Sequence, residues 1–164
     1  MSRGFVKEDD LELAGTDLPE RPLSQLSNYV TVAGYAQLQA ASSQLELQRL
    51  ALSQQKDDPS AKQKLAMVER DMRYIAARLE SAIITTPNAQ AKQVVFGATV
   101  TVENEDGEQL HYQIVGEDEA DIQANKISWA SPLAKALIGS KVGDSVTWLR
   151  PAGNTLLEII SIKT

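Results

Sequence analysis

The sequence predicts an α+β chain, with an antiparallel helical hairpin followed by a small antiparallel β domain that carries one short helix. Three observations lead there. Leu65, Val68, Met72, Ile75, Leu79 and Ala82 follow one another at steps of 3, 4, 3, 4 and 3, the seam of a coiled coil. Ahead of that run stands Lys56-Asp57-Asp58-Pro59-Ser60, in which Asp58 is an N-cap and Pro59 a first helical residue. From Gln93 onward the apolar period changes from helical to alternating.

Taken in order, residues 1–28 mix acidic side chains with Gly15, Pro19 and Pro22 and show no sustained period. They have too little apolar surface to offset their ordering entropy, so a flexible acidic leader is expected. Thr31 is the expected N-cap of the first helix. Leu38, Leu45 and Leu52 hold every seventh position of that helix, while Ala41, Ser42, Gln48 and Arg49 fill the alternate ones, which suits a slender two-helix arm. About 25 residues on each side of the turn give a hairpin roughly 40 Å long. Pairing supplies most of its stability, because isolated helices of this length are marginal. Thr85-Thr86-Pro87-Asn88 ends the second helix, so the hairpin domain is placed at residues 29–86.

In the second half, Val94-Val95-Phe96 and Ala98-Thr99-Val100-Thr101-Val102 read as strand. Glu105-Asp106-Gly107-Glu108 has the Asp-Gly signature of a hairpin turn, and Gln109-Leu110-His111-Tyr112-Gln113-Ile114-Val115 is the return strand. Ile127-Ser128-Trp129 is a short strand. Ser131-Pro132 opens a short helix through Leu137, which Gly139 ends. Two turns, Val142-Gly143-Asp144 and Pro151-Ala152-Gly153-Asn154, introduce strands over residues 145–149 and 156–162. Residues 87–164 therefore form an antiparallel sheet of about five strands.

Composition excludes several classes of function. No stretch approaches the roughly 18 apolar residues of a membrane span, and the N-terminus runs into Glu8, Asp9 and Asp10 rather than a signal-peptide core. A cytoplasmic protein with no membrane partner is the plain reading. Without cysteine there is no disulfide, thiolate metal site or cysteine nucleophile. The net charge of −6 divides as −3 over residues 1–30, +1 over residues 31–90 and −4 over residues 91–164. Such a chain does not wrap duplex DNA, which calls for a basic face. Only the arm offers a basic stripe, Arg49, Lys56, Lys62, Lys64, Arg70, Arg73 and Arg78. His111 stands alone and cannot make a zinc site. Trp129 and Trp148 lie in apolar strand contexts and read as core. No Gly-rich phosphate loop or Gly-x-Ser-x-Gly elbow is found.

Several segments resemble the GreA/GreB family of bacterial transcription elongation factors. They are Val95-Phe96-Gly97-Ala98-Thr99-Val100, Ile114-Val115-Gly116-Glu117-Asp118-Glu119-Ala120-Asp121, Ile127-Ser128, Ser131-Pro132-Leu133-Ala134, Leu137-Ile138-Gly139 and Pro151-Ala152-Gly153. Met72-Arg73-Tyr74-Ile75 and Leu79 resemble the family's second arm helix more weakly, and residues 1–27 show no likeness. The resemblance implies an FKBP-like fold for residues 87–164, docked at the rim of the RNA polymerase secondary channel, with the coiled coil reaching toward the active centre. In cleaving members, acidic residues at the tip help hold a second magnesium ion while the polymerase hydrolyses its own backtracked RNA. The family's factor is not an enzyme; at most it lends metal ligands.

Carried over by position, Ser131 and Pro132 match the docking loop, and Asp118, Glu119 and Asp121 match the acidic loop; these five are the expected partner-binding residues. Ala130 stands where a polar residue often precedes the Ser-Pro pair. At the tip, cleaving members carry an acidic-Ser/Lys-Glu-Asn-Ala-Glu/Asp-Tyr type of motif, whereas this chain has Lys56-Asp57-Asp58-Pro59-Ser60-Ala61-Lys62. The arm also looks about one heptad short, roughly 10 Å of reach. Asp57 and Asp58 are the candidate catalytic and metal residues, and Arg49, Lys56, Lys62 and Lys64 the candidate RNA-facing arm residues. The expected function is a regulator, with Rnk-like features, that binds polymerase and modulates elongation as a monomer with no stably bound cofactor, meeting transcript RNA through the polymerase. The alternatives are a cleavage-stimulating factor that shares magnesium with the polymerase, and an FKBP-like prolyl isomerase, which would need an aromatic-lined pocket.

Overall fold

The computed structural model describes residues 18–164, so the leader expected over residues 1–28 lies partly outside the described residues. The chain divides into two compact units: an arm of residues 36–81 with the preceding segment up to Ser27, and a sheet unit of residues 28–35 and 82–164.

The arm is built from α1 (Val32–Ser53) and α2 (Pro59–Ser81). At 1.5 Å per residue they are about 33 and 35 Å long, somewhat shorter than the sequence predicts. Asp58 caps α2 as expected: its Oδ1 accepts the Ser60 N–H at 2.9 Å, and its carbonyl accepts from Lys62 at 3.2 Å, with Pro59 first in the helix. On the α2 seam Ile75 is buried, whereas Leu65, Val68, Met72 and Leu79 are half-buried. Two helices alone cannot close over a seam, so this partial burial follows from the architecture.

Upstream of α1, residues 20 and 21 contact α2. Arg73 donates two hydrogen bonds to the Glu20 carboxylate, one of them 2.9 Å. The Arg21 guanidinium lies 3.8 Å from the centroid of the Tyr74 ring and 3.4 Å from Asp71. This strap joins a segment with no periodic signal to the helix, through charge and cation–π contacts.

The sheet unit begins with β1 (Tyr29–Val30), which pairs in parallel with β2 (Ile83–Ile84). This pairing explains why α2 stops at Ser81 rather than running on to Thr85: Ile83 donates to the Asn28 carbonyl at 2.8 Å and Thr85 to that of Val30 at 2.8 Å. The main sheet contains β3 (Thr99–Glu103), β4 (Gln109–Val115), β5 (Lys126–Ser128), β6 (Ser145–Trp148) and β7 (Thr155–Lys163), in the order β5-β4-β3-β7-β6. Four of its strands pair antiparallel as expected; β5 joins β4 in parallel, which makes the sheet mixed. Val94-Val95-Phe96 is not a strand. Val94 is fully buried and exchanges backbone bonds with Ser140 and Gly139 at the exit of α3 (Pro132–Leu137).

Alternation places Val100 and Val102 of β3, Tyr112 and Ile114 of β4, and Leu157 and Ile159 of β7 on one face, closed by Leu133, Ala134 and Leu137 of α3. A bulge in β7, where Ile160 is the extra residue opposite Thr101 and Val102, lets Ile159 and Ile162, three positions apart, both pack on the core side. Gly107 sits at φ 79° in the Asp-Gly turn between β3 and β4, a backbone region that glycine adopts without cost.

Candidate functional site

Two places in the fold collect the sequence-predicted site residues, the hairpin turn and the segment between β4 and α3. At the turn, Lys56, Asp57 and Asp58 are all exposed. One Asp58 oxygen serves the α2 cap, which leaves Asp57 as the uncommitted carboxylate. No group of three or more metal-ligating side chains occurs among the described residues. Magnesium prefers octahedral oxygen coordination at about 2 Å, so one free carboxylate beside a capping one does not fit a site held by this chain.

The basic stripe is thinner than its sequence suggests. Arg49 is paired with Glu46 (Nε to Oε1, 2.9 Å), Arg73 with Glu20, and Arg70 approaches Asp71 at 3.5 Å, while Arg78 is buried. Lys56, Lys62 and Lys64 are exposed, with no ion pair to them among the described residues.

The hydrogen bond from Arg73 holds the Glu20 carboxyl below its ordinary value of 4.5. A lowered pKa means that the bond stabilises the strap at pH above about 4.5 and is lost as pH falls through the lowered value. Acidification is therefore expected to weaken the Glu20–Arg73 contact, followed through the Arg73 side-chain resonances. Glu20→Gln should remove that pH response, and a response that survives the substitution would contradict the assignment.

Between β4 and α3, Ser131 caps the short helix by accepting the Ala134 N–H at 3.2 Å, and Pro132 follows, exposed. Ala130 is held by the Ser128 hydroxyl at 3.1 Å, so the Ser-Pro loop is locally fixed. Asp121 is exposed, accepts from the Gln123 N–H at 3.1 Å and forms a bridge with Lys126; Asp118 is exposed as well. Ile122, beside Asp121, is 68% exposed, an apolar addition to this surface that the acidic loop pattern hid.

Glu119 behaves differently from its neighbours. Expected among the partner-binding residues, it is buried in this chain, with 7% of its surface exposed. Its Oε2 accepts the N–H groups of Thr31 and Gly116, both at 3.0 Å, and its Oε1 accepts the Thr31 hydroxyl. That hydroxyl in turn accepts the Gly34 N–H at 2.9 Å, which confirms Thr31 as N-cap of α1. Glu119 thus clasps the first turn of α1 to the acidic loop. One signal was available in the sequence: a glutamate three residues after the start of a turn is the second half of a capping box.

Trp129 packs edge-on against Tyr29 at 5.2 Å, and Phe96 lies 6.0 Å from the same tyrosine. His111 Nδ1 is 2.9 Å from the Thr101 hydroxyl across the strand pair, the cross-strand place that a lone histidine on a strand suggests.

Comparison with known proteins now settles the family. Residues 89–164 match the family described as "Transcription elongation factor, GreA/GreB, C-term". The chain is 34% identical over 156 residues to transcription elongation factor GreB of Neisseria meningitidis serogroup B, an alignment covering 85% of this chain and 96% of that one. The chain belongs to the GreA/GreB family. Transcription elongation factor GreA of Thioalkalivibrio sulfidiphilus is 46% identical over 108 residues, covering 63% of this family member and 68% of that GreA. The solved GreA factor homolog 1 (Gfh1) of Thermus thermophilus is 28% identical and covers 85% of this chain and 100% of its own, with a TM-score of 0.42, and nothing below rests on it.

Proposed function

We propose that this GreA/GreB-family factor binds RNA polymerase at the secondary channel and modulates transcription elongation by occupying it, without lending a metal ligand. Family membership supports the partner. The observation that carries the mechanism is the tip, where Asp58 is committed to capping α2, Asp57 stands alone, and helices of 22 and 23 residues make a short arm. Ser131, Pro132, Asp118 and Asp121, with exposed Ile122 beside them, form the docking segment. Lys56, Lys62 and Lys64 give the arm positive charge suited to transcript RNA within the complex. The chain works as a monomer in the cytoplasm, and among its described residues no helix is long and apolar enough to cross a membrane.

Cleavage with magnesium shared by the polymerase is the second reading, and exposed Asp57 is what favours it. A prolyl isomerase is disfavoured because Trp129 and Phe96 pack on Tyr29 rather than around an open aromatic pocket.

Backtracked elongation complexes incubated with the protein and magnesium test the proposal. Binding without RNA shortening is expected, unchanged by Asp57→Ala or Asp58→Ala, with Ser131→Ala weakening binding several-fold. Shortening that disappears in Asp57→Ala would establish the cleavage reading instead. Absence of any binding would remove both.

A further inference from the structure

Directly after β4, the 3₁₀ turn Glu117–Glu119 opens the loop that carries Asp118 and Asp121. A single 3₁₀ turn holds itself poorly, because its hydrogen bonds are few and badly aligned. One backbone bond closes this turn, from the Glu119 N–H to the Gly116 carbonyl at 3.1 Å. The Glu119 side chain closes it again by accepting the Gly116 N–H at 3.0 Å. Residues 116–119 thus form a small ring, with Asp118 exposed on its rim. The same carboxylate accepts the N–H and the hydroxyl of Thr31, which ties the ring to a segment 88 residues away. Asp121 lies outside the ring and has an anchor of its own. Its N–H donates to the Lys126 carbonyl at 2.9 Å, and its carbonyl accepts the Lys126 N–H at 3.0 Å.

We propose that Glu119 is a positioning residue for docking: buried itself, it aims the Asp118 carboxylate at a basic surface of the polymerase. The inference rests on the docking reading given above. An exposed charge contributes most to association when it is already in place, because ordering a loop during binding uses up part of the binding energy. With the clasp closed, the ring meets the partner preformed. With the clasp open, the ring must be ordered at the moment of docking, and the contribution of Asp118 is lost. Two substitutions separate the clasp from the mere presence of residue 119. A methyl group at residue 34 would stand 2.0 Å from Glu119 Cδ, so Gly34→Ala evicts the carboxylate while leaving Glu119 in the sequence. Glutamine at 119 keeps the arrangement, since its carbonyl oxygen can accept from both N–H groups and its NH2 can donate to the Thr31 hydroxyl.

Equilibrium binding of the full chain to RNA polymerase, measured for single and paired variants, tests this. Glu119→Ala and Gly34→Ala should each weaken binding severalfold, whereas Glu119→Gln should return it close to the native affinity. Native tryptophan fluorescence in each variant keeps unfolding apart from mispositioning. Thr31→Val, which removes only the hydroxyl contact, carries the same comparison with less disturbance of the fold. Asp118→Asn should weaken binding in the native chain and add nothing in Glu119→Ala. Asp121→Asn and Ser131→Ala should keep their full effect in both backgrounds. Native affinity in the folded clasp variants, or an equal effect of Asp118→Asn in both backgrounds, would overturn the proposal and leave docking standing. No binding by the native chain would remove docking and this proposal together.

Discussion

Gly34→Ala is expected to destabilise the sheet unit by about 2–3 kcal/mol in the native background and to reverse sign when Glu119 is absent. A Cβ at residue 34 would stand 2.0 Å from Cδ and 2.3 Å from Oε2 of Glu119, distances that no small shift can accommodate. The carboxylate must leave, and the Thr31 and Gly116 N–H groups lose their acceptor. Glu119→Ala alone should cost about 3 kcal/mol, because buried donors left unpaired carry their desolvation penalty without return. With that side chain already gone the methyl group has room, and alanine, a better helix former than glycine, should then stabilise by up to about 1 kcal/mol. Denaturant unfolding followed through Trp129 and Trp148 fluorescence closes the cycle. Simple additivity of the two substitutions would refute the clasp.

Gly116→Ala should cost about 3 kcal/mol for a different reason. The backbone of Gly116 is extended, at φ −71° and ψ 167°, where alanine is comfortable, so no conformational strain enters. The cost is steric: the new Cβ would sit 2.3 Å from the Tyr29 carbonyl oxygen. A backbone oxygen cannot rotate away as a side chain does, and Tyr29 is tied to Ile83 through the β1–β2 pairing. Displacing it should break that two-residue sheet. Hydrogen exchange at the Ile83 amide, which donates to Asn28, is expected to rise together with the loss of stability. Protection that stays native in a destabilised variant would show that the strain is absorbed elsewhere.

These two glycines and Glu119 mark the border between what could be read from the chain and what could not. Asp58-Pro59, Ser131-Pro132 and Asp106-Gly107 were legible because each acts on backbone groups within a few residues of itself. The helical seam and the alternating strands were legible because burial on one face writes a period into the sequence. The motifs from residue 95 onward carried the family resemblance, and with it the docking segment. Glu119, by contrast, stood in an acidic run and shared its apparent solvent role. Nothing near it in the chain shows that its acceptors are needed at Thr31, 88 residues earlier.

The sequence by itself determined the order of the fold, the places where helices and turns begin, the family, and a tip whose carboxylates sit beside a proline. Each of these is local or periodic and needs no knowledge of which distant residues meet. Tertiary structure alone decided that β5 runs parallel to β4, that Tyr29 and Val30 pair with Ile83 and Ile84, and that Glu119 closes on the first turn of α1. It also decided that Glu20 meets Arg73 and Arg21 meets Asp71 on α2. Those outcomes rest on single hydrogen bonds and ion pairs between segments far apart in the chain, and one such contact leaves no repeating pattern along the sequence.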